Sequence, residues 1–172
     1  MKRLALSVLG LSLVLIFCAA PSVAKTVVEL KDAHGMSVGK AILWQQDEHV
    51  VGVELQLHGL PPGEHGIHFH QNAKCDAPDF KSAGPHFNPE SKKHGTENPE
   101  GHHAGDLKNI TIDAQGNLNL RFTASEVSLG SDSHSLFSNG GTALVIHAKG
   151  DDYKTDPSGN SGDRIACGVI TK

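Results

Sequence analysis

The chain has 172 residues, 20% charged and 38% hydrophobic, a balance that excludes both a disordered segment and a multi-span membrane protein. Its formal net charge of -4 gives no broad basic field, which argues against nucleic acid as a partner. Twelve histidines and three cysteines are what the composition leaves to be explained.

Residues 1–24 read as a secretory signal peptide. Met1-Lys2-Arg3 is a basic start, Leu4 to Ala20 is an uncharged apolar run, and Ser22-Val23-Ala24 is a small-residue cleavage site. Pro21 and the small residues after it favour cleavage after Ala24 over a retained membrane anchor. Removal takes Cys18 away and leaves Cys75 and Cys167. An even pair in an exported protein reads as one disulfide. The mature chain, residues 25–172, carries 13 basic and 19 acidic residues, a net charge of -6. Its length suits a single domain.

Strand-like segments follow in order at 26–31 and 38–46. Val51, Val53, Leu55 and Leu57 then alternate with Gly52, Glu54, Gln56 and His58, the pattern of a half-buried strand. Residues 66–70 and 110–112 come next. Leu118, Leu120 and Phe122 alternate with polar neighbours over 117–122, and 142–148 and 164–170 close the series. Turn residues separate these runs, and no stretch holds a helical period. The pattern predicts an all-β domain, an eight-stranded antiparallel sandwich or barrel. Residues 71–107 break the rhythm with Gly, Pro, Asn, Lys and His, and loops of that length are commonly functional. A second polar loop runs from Gly150 to Asp163.

The histidines fall on this frame in a ligand pattern. His68 and His70 are two apart on a strand and share one face. His147 ends another strand. The long loop carries His86, His94, His103 and Asp106, and three imidazoles with one carboxylate make a tetrahedral zinc set. Imidazole suits copper equally well.

Six segments together carry a resemblance. They are Gly66-Ile67-His68-Phe69-His70, Ser82-Ala83-Gly84-Pro85-His86-Phe87-Asn88-Pro89, Lys93-His94-Gly95, His103-Ala104-Gly105-Asp106-Leu107, Val145-Ile146-His147, and Asp163-Arg164-Ile165-Ala166-Cys167-Gly168-Val169-Ile170. In this order and spacing the chain resembles copper/zinc superoxide dismutase, over essentially all of the mature sequence. The resemblance implies an immunoglobulin-like Greek-key β-barrel that dismutes superoxide, with one copper and one zinc ion per chain. It implies copper on His68, His70, His86 and His147, and zinc on His86, His94, His103 and Asp106, so that His86 bridges the two. Asp151 would link His68 to His94 by hydrogen bonds, and Arg164 would stand beside the copper. Cys75 and Cys167 match the family's disulfide. His103, not His102, stands three residues before Asp106 as the family's zinc motif requires.

His34, His49, His58, His65, His102 and His134 have no matching role and are expected on the solvated surface, His65 close to the copper pair. Lys74, Lys81, Lys149 and Lys154 are candidates for a positive rim. The inserted Asp76–Lys81 and the short Asp151–Arg164 loop resemble the exported bacterial branch. That implies a periplasmic protein, with secretion as the alternative, and a homodimer without an assigned interface. A metal-storage module on the same fold is the rival reading; the presence of all four copper ligands and Arg164 counts against it. His94, His103 and Asp106 count against a copper-only enzyme.

Overall fold

The computed structural model describes residues 24–172. The expected signal peptide, apart from its last residue, lies outside the described residues.

Alternating side chains build β1 (Lys25–Asp32), β2 (Ser37–Asp47) and β3 (Val50–Leu57) into an antiparallel meander. Asp32 forms the first turn, its carboxylate accepting the backbone N–H groups of His34 and Met36 at 2.9 Å each. Val51, Val53 and Leu55 are fully buried on the inner face of β3. Glu54 faces outward, where Arg121 covers it with an Nη2–Oε2 distance of 2.7 Å.

The remaining strands are β4 (Gly63–His65), β5 (Ile67–His70), β6 (Ile110–Ile112), β7 (Leu118–Ser125), β8 (Thr142–His147) and β9 (Arg164–Ile170). Seven of the nine form one antiparallel sheet in the order β5-β8-β9-β1-β2-β3-β7, and β4 pairs with β6 in a second ladder. All eight expected strands are present. The extra strand, β4, arises because Gly66 interrupts the run before β5. Gly66 donates its N–H to Lys149 O and its carbonyl accepts from His147 N–H, both at 2.8 Å. The backbone ahead of it then pairs with β6 instead of β8.

Laid flat, seven strands would hold the edges β5 and β7 about 29 Å apart, at about 4.8 Å per strand. The β4–β6 ladder spans that gap. β4 runs into β5 through Gly66, and Ile110 of β6 lines the same groove as Leu120 and Phe122 of β7. The sheet therefore curls into a Greek-key β-barrel with one apolar interior.

Two of the barrel's three long connections build the site, 71–109 between β5 and β6 and 148–163 between β8 and β9; the third, 126–141, joins β7 to β8. The Cys75–Cys167 disulfide ties the first to β9. Phe80 and Ala83 of that loop pack with Ala143, Val145 and Cys167 in a small second apolar cluster. Strands and crosslink thus fix the loop's ends, and the rest is ordered at the site described next.

Candidate metal centre

β5 presents His68 and His70 on one face, both fully buried, while Ile67 and Phe69 fill the core on the other. The long loop lies against this strand through backbone hydrogen bonds. Phe69 N–H donates to Gly105 O at 2.9 Å, and Phe87 N–H to Phe69 O at 2.8 Å. Gly105 permits that approach, since a Cβ there would stand 2.4 Å from Phe69 O. The stitching brings His86 beside His70 and Asp106 beside His68. His147 ends β8 opposite Arg164, the first residue of β9.

Two buried donor groups result. His68, His70, His86 and His147 form one; His86, His94, His103 and Asp106 form the other. His86 belongs to both. In the first group, protein acceptors fix one nitrogen on each of three rings. His68 Nε2 donates to Asp151 Oδ2 at 2.7 Å, His70 Nδ1 to Gly84 O at 2.8 Å, and His147 Nδ1 to Gly162 O at 3.3 Å. The opposite nitrogens are bare and converge, with His70 Nε2 and His147 Nε2 3.4 Å apart. His68 Nδ1 and His86 Nε2 are buried with no hydrogen-bond partner among the described residues. Orphaned buried nitrogens are costly unless a bound ion takes their lone pairs.

In the second group three imidazole nitrogens surround one carboxylate oxygen. His86, His94 and His103 Nδ1 lie 2.8, 3.0 and 3.3 Å from Asp106 Oδ1. His86 and His103 Nδ1 are 3.4 Å apart. Four donors about 2.0–2.1 Å from a tetrahedral ion stand about 3.3–3.4 Å from one another, so the set is already near that spacing. Asp151 joins the groups, its second oxygen accepting from His94 Nε2 at 3.0 Å.

In the first donor group the electrostatics suit ligation, which needs neutral imidazoles. Burial pushes His68 and His147 down to about 4 and His86 down to about 3, and lowers His70 well below its usual value. Burial also opposes charge on His94, but hydrogen bonds to Asp106 and Asp151 outweigh it and raise that group to about 9. For Asp106 and Asp151, burial opposes ionisation, yet hydrogen bonds from the histidines hold both carboxyls below the usual range.

These shifts set the acid behaviour of the metal-free protein. Between about pH 4 and the unfolded histidine value of about 6.5, the unfolded chain binds more protons than the folded one. Stability from the four depressed histidines is therefore lost as pH falls through that window, and the two carboxylates add to the loss below it. His94 has the opposite sign, its contribution being complete below about 6.5 and lost as pH rises through about 9. Four groups outweigh one, so the metal-free protein should unfold at lower denaturant concentration at pH 5 than at pH 7. An equal or higher midpoint at pH 5 would contradict this balance.

A cleft of about 700 Å³ opens onto His86 and His147 and is lined by Arg164, Lys81, Lys92 and Lys93. Arg164 donates Nη1–H to Phe80 O and Nη2–H to Gly84 O, both at 2.7 Å. Gly84 O also accepts from His70, so one carbonyl couples the arginine to the first donor group. Each lysine faces a carboxylate: Asp79 at 2.9 Å, Glu90 at 2.5 Å and Asp156 at 3.7 Å respectively. Among the described residues Arg164 bonds only neutral carbonyls.

The chain belongs to the copper/zinc superoxide dismutase family. The family model, described as copper/zinc superoxide dismutase, matches residues 37–170. "Superoxide dismutase [Cu-Zn] 2" of Aquifex aeolicus is 48% identical over 172 residues, covering 99% of both chains. "Superoxide dismutase [Cu-Zn] 1" of that organism is 50% identical over 148 residues, covering 85% of this chain and 87% of its own. A solved superoxide dismutase-like protein from Bacillus subtilis superposes with a TM-score of 0.82 at 39% identity, over 86% of this chain and 99% of the other.

The seven residues that the resemblance offered as ligands make up the two donor groups, Asp151 hydrogen-bonds His68 and His94, and Arg164 shares the Gly84 carbonyl with His70. His103 turns Nδ1 to Asp106, whereas the His102 ring turns away, its Nδ1 donating to His103 O at 2.9 Å. Two expectations need correction. His65 is not on the surface: it is 2% exposed, a strut between His147 O and Pro61 O at 2.8 Å each. Of the proposed rim lysines only Lys81 lines the cleft; Lys92 and Lys93, which immediately precede His94, do so instead. Asn109 was not anticipated. Its amide clasps Asp151 by both backbone groups at 2.9 Å, a contact between loops that no spacing reveals.

Proposed function

We propose that this chain dismutes superoxide, two anions and two protons giving oxygen and hydrogen peroxide, with copper held by His68, His70, His86 and His147. Zinc would be held by His86, His94, His103 and Asp106. The observation that carries the reading is the pair of orphaned nitrogens, His68 Nδ1 and His86 Nε2, in a cluster where each ring's opposite nitrogen is fixed by a protein acceptor. When bound, copper supplies one-electron transfer in both directions and zinc supplies a fixed charge without redox chemistry.

The chain's own residues do the rest. Arg164, anchored by two carbonyls, directs its remaining N–H groups to an anion entering the cleft. His86 Nε2 holds a proton in one half of the cycle and gives it to the departing peroxide in the other. Asp151 sets the ring orientations of His68 and His94, and Asn109 sets Asp151. His68 and His70 are fully buried, and of the four rings in the first group only His86 and His147 line the cleft.

Metal analysis of the purified protein, with dismutase assays before and after copper removal, tests the proposal. One copper and one zinc per chain with copper-dependent activity are expected; metal-loaded but inactive protein would favour storage. Arg164→Ala should retain both metals and lower the rate about tenfold or more, because it removes a cleft cation that, among the described residues, has no carboxylate partner. An unchanged rate constant would refute the role.

We further propose export to the periplasm with cleavage after Ala24. β1 begins at Lys25, already paired with Trp44, so that cut leaves the first strand whole. Amino-terminal sequencing of the exported protein should read Lys25-Thr26-Val27; a start inside β1 would exclude the site.

A further inference from the structure

No motif in the sequence points to Tyr153, yet it stands where three segments meet. Its φ of 62° lies in the left-handed region, which a bulky residue occupies only when its surroundings enforce it. Three hydrogen bonds do so. Its backbone N–H donates to Asp151 Oδ1 at 2.7 Å, its carbonyl accepts from Glu97 N–H at 3.0 Å, and its phenol oxygen accepts from Asn109 N–H at 2.9 Å. Gly95, the neighbour of His94, lies so close against that carbonyl that it has no room for a Cβ.

Asn109 closes these contacts into a ring. Its side chain clasps the Asp151 backbone, its own N–H holds the Tyr153 phenol, and Tyr153 N–H returns to the Asp151 carboxylate. The two holds restrain different freedoms. Asn109 fixes the Asp151 backbone but leaves the carboxylate able to turn. Tyr153 N–H pins Oδ1, the oxygen that also accepts from His94 Nε2, and so leaves Oδ2 facing His68 Nε2.

We propose that Tyr153 is a positioning residue for the metal centre. Anchored by its phenol, it aims a backbone N–H that sets the Asp151 carboxylate, and through it the rings of His68 and His94. This rests on the copper and zinc assignment above and adds to it the residue that keeps the two donor groups in register. Any residue at this position except proline supplies an N–H; the phenol on Asn109 is what keeps it aimed. The hydrogen-bond partners behind metal ligands tune affinity by holding ring orientation.

Zinc release from the copper- and zinc-loaded protein into excess chromogenic chelator, with the electron paramagnetic resonance spectrum of its copper(II), tests this. Tyr153→Phe removes one oxygen and keeps the ring. It should release zinc about threefold to tenfold faster and alter the copper spectrum, a smaller effect than the roughly 10–100-fold typical when a ligand's direct partner is lost. Tyr153→Gly relaxes the left-handed backbone, so a purely conformational role would leave release unchanged or slower. It should instead release zinc at least as fast as Tyr153→Phe. Adding Tyr153→Phe to Asn109→Ala should quicken release little further, since both break one ring. Wild-type release and spectrum in Tyr153→Phe, slow release in Tyr153→Gly, or multiplied effects in the double variant would overturn the inference and leave the metal assignment standing. A wild-type protein that holds no zinc would overturn both.

Discussion

His86→Gln should lower the dismutase rate by about 100-fold or more and leave the protein short of zinc. His86 is the one side chain common to both donor groups, with Nδ1 2.8 Å from Asp106 and Nε2 orphaned among His68, His70 and His147. Removing it leaves three imidazoles in the first group, and two imidazoles with a carboxylate in the second. It also removes the atom proposed to carry a proton, a contribution typically worth about 10²–10⁴ in rate. Glutamine is similar in volume, so the 4% exposed site is not opened into a large cavity. Metal content and the rate constant at saturating copper check the result. Full zinc occupancy with an unchanged rate would refute both the shared role and the proton role.

Loss of the disulfide is the largest expected effect on stability. Cys75 and Cys167 close a loop of 92 residues, which the chain-entropy account values at about 4–5 kcal/mol. In a domain of this size that corresponds to a fall in melting temperature of roughly 10–20 °C. The Cys75→Ser/Cys167→Ser protein should also lose activity before it unfolds. The bridge lies beside Phe80 and Ala83, and Phe80 O and Gly84 O are the two carbonyls that hold Arg164. A loosened loop therefore frees the arginine while the histidines on β5 and β8 stay where the strands put them. Thermal melts and assays of the metal-loaded variant below its melting point check this. A variant that melts within a few degrees of wild type would show that packing alone holds the loop.

Much of the site was legible because strand geometry is local. His68 and His70 share a face by the two-residue period, and His147 sits at the end of an apolar run. The resemblance singled out His103 over His102 by its place three residues before Asp106, and His103 is the one whose Nδ1 turns to Asp106. What escaped was set by contacts between distant segments. Gly66 divides β4 from β5 only because Lys149 and His147 claim its backbone. His65 is buried because two carbonyls, one of them 82 positions away, meet its ring. Lys92 and Lys93 reach the cleft, and Lys74, Lys149 and Lys154 do not, because of how two loops fold over one another.

The sequence by itself determined the all-β character, the eight long-recognisable strands, the disulfide pair and the inventory of donors, since each follows from residue type and near-neighbour spacing. Only the tertiary structure decided that Asn109 clasps Asp151, that one carbonyl serves both Arg164 and His70, and that His65 is buried between two carbonyls. Those are matters of which segments cross in space, and the closing of the barrel and the laying of the long loop on β5 set them.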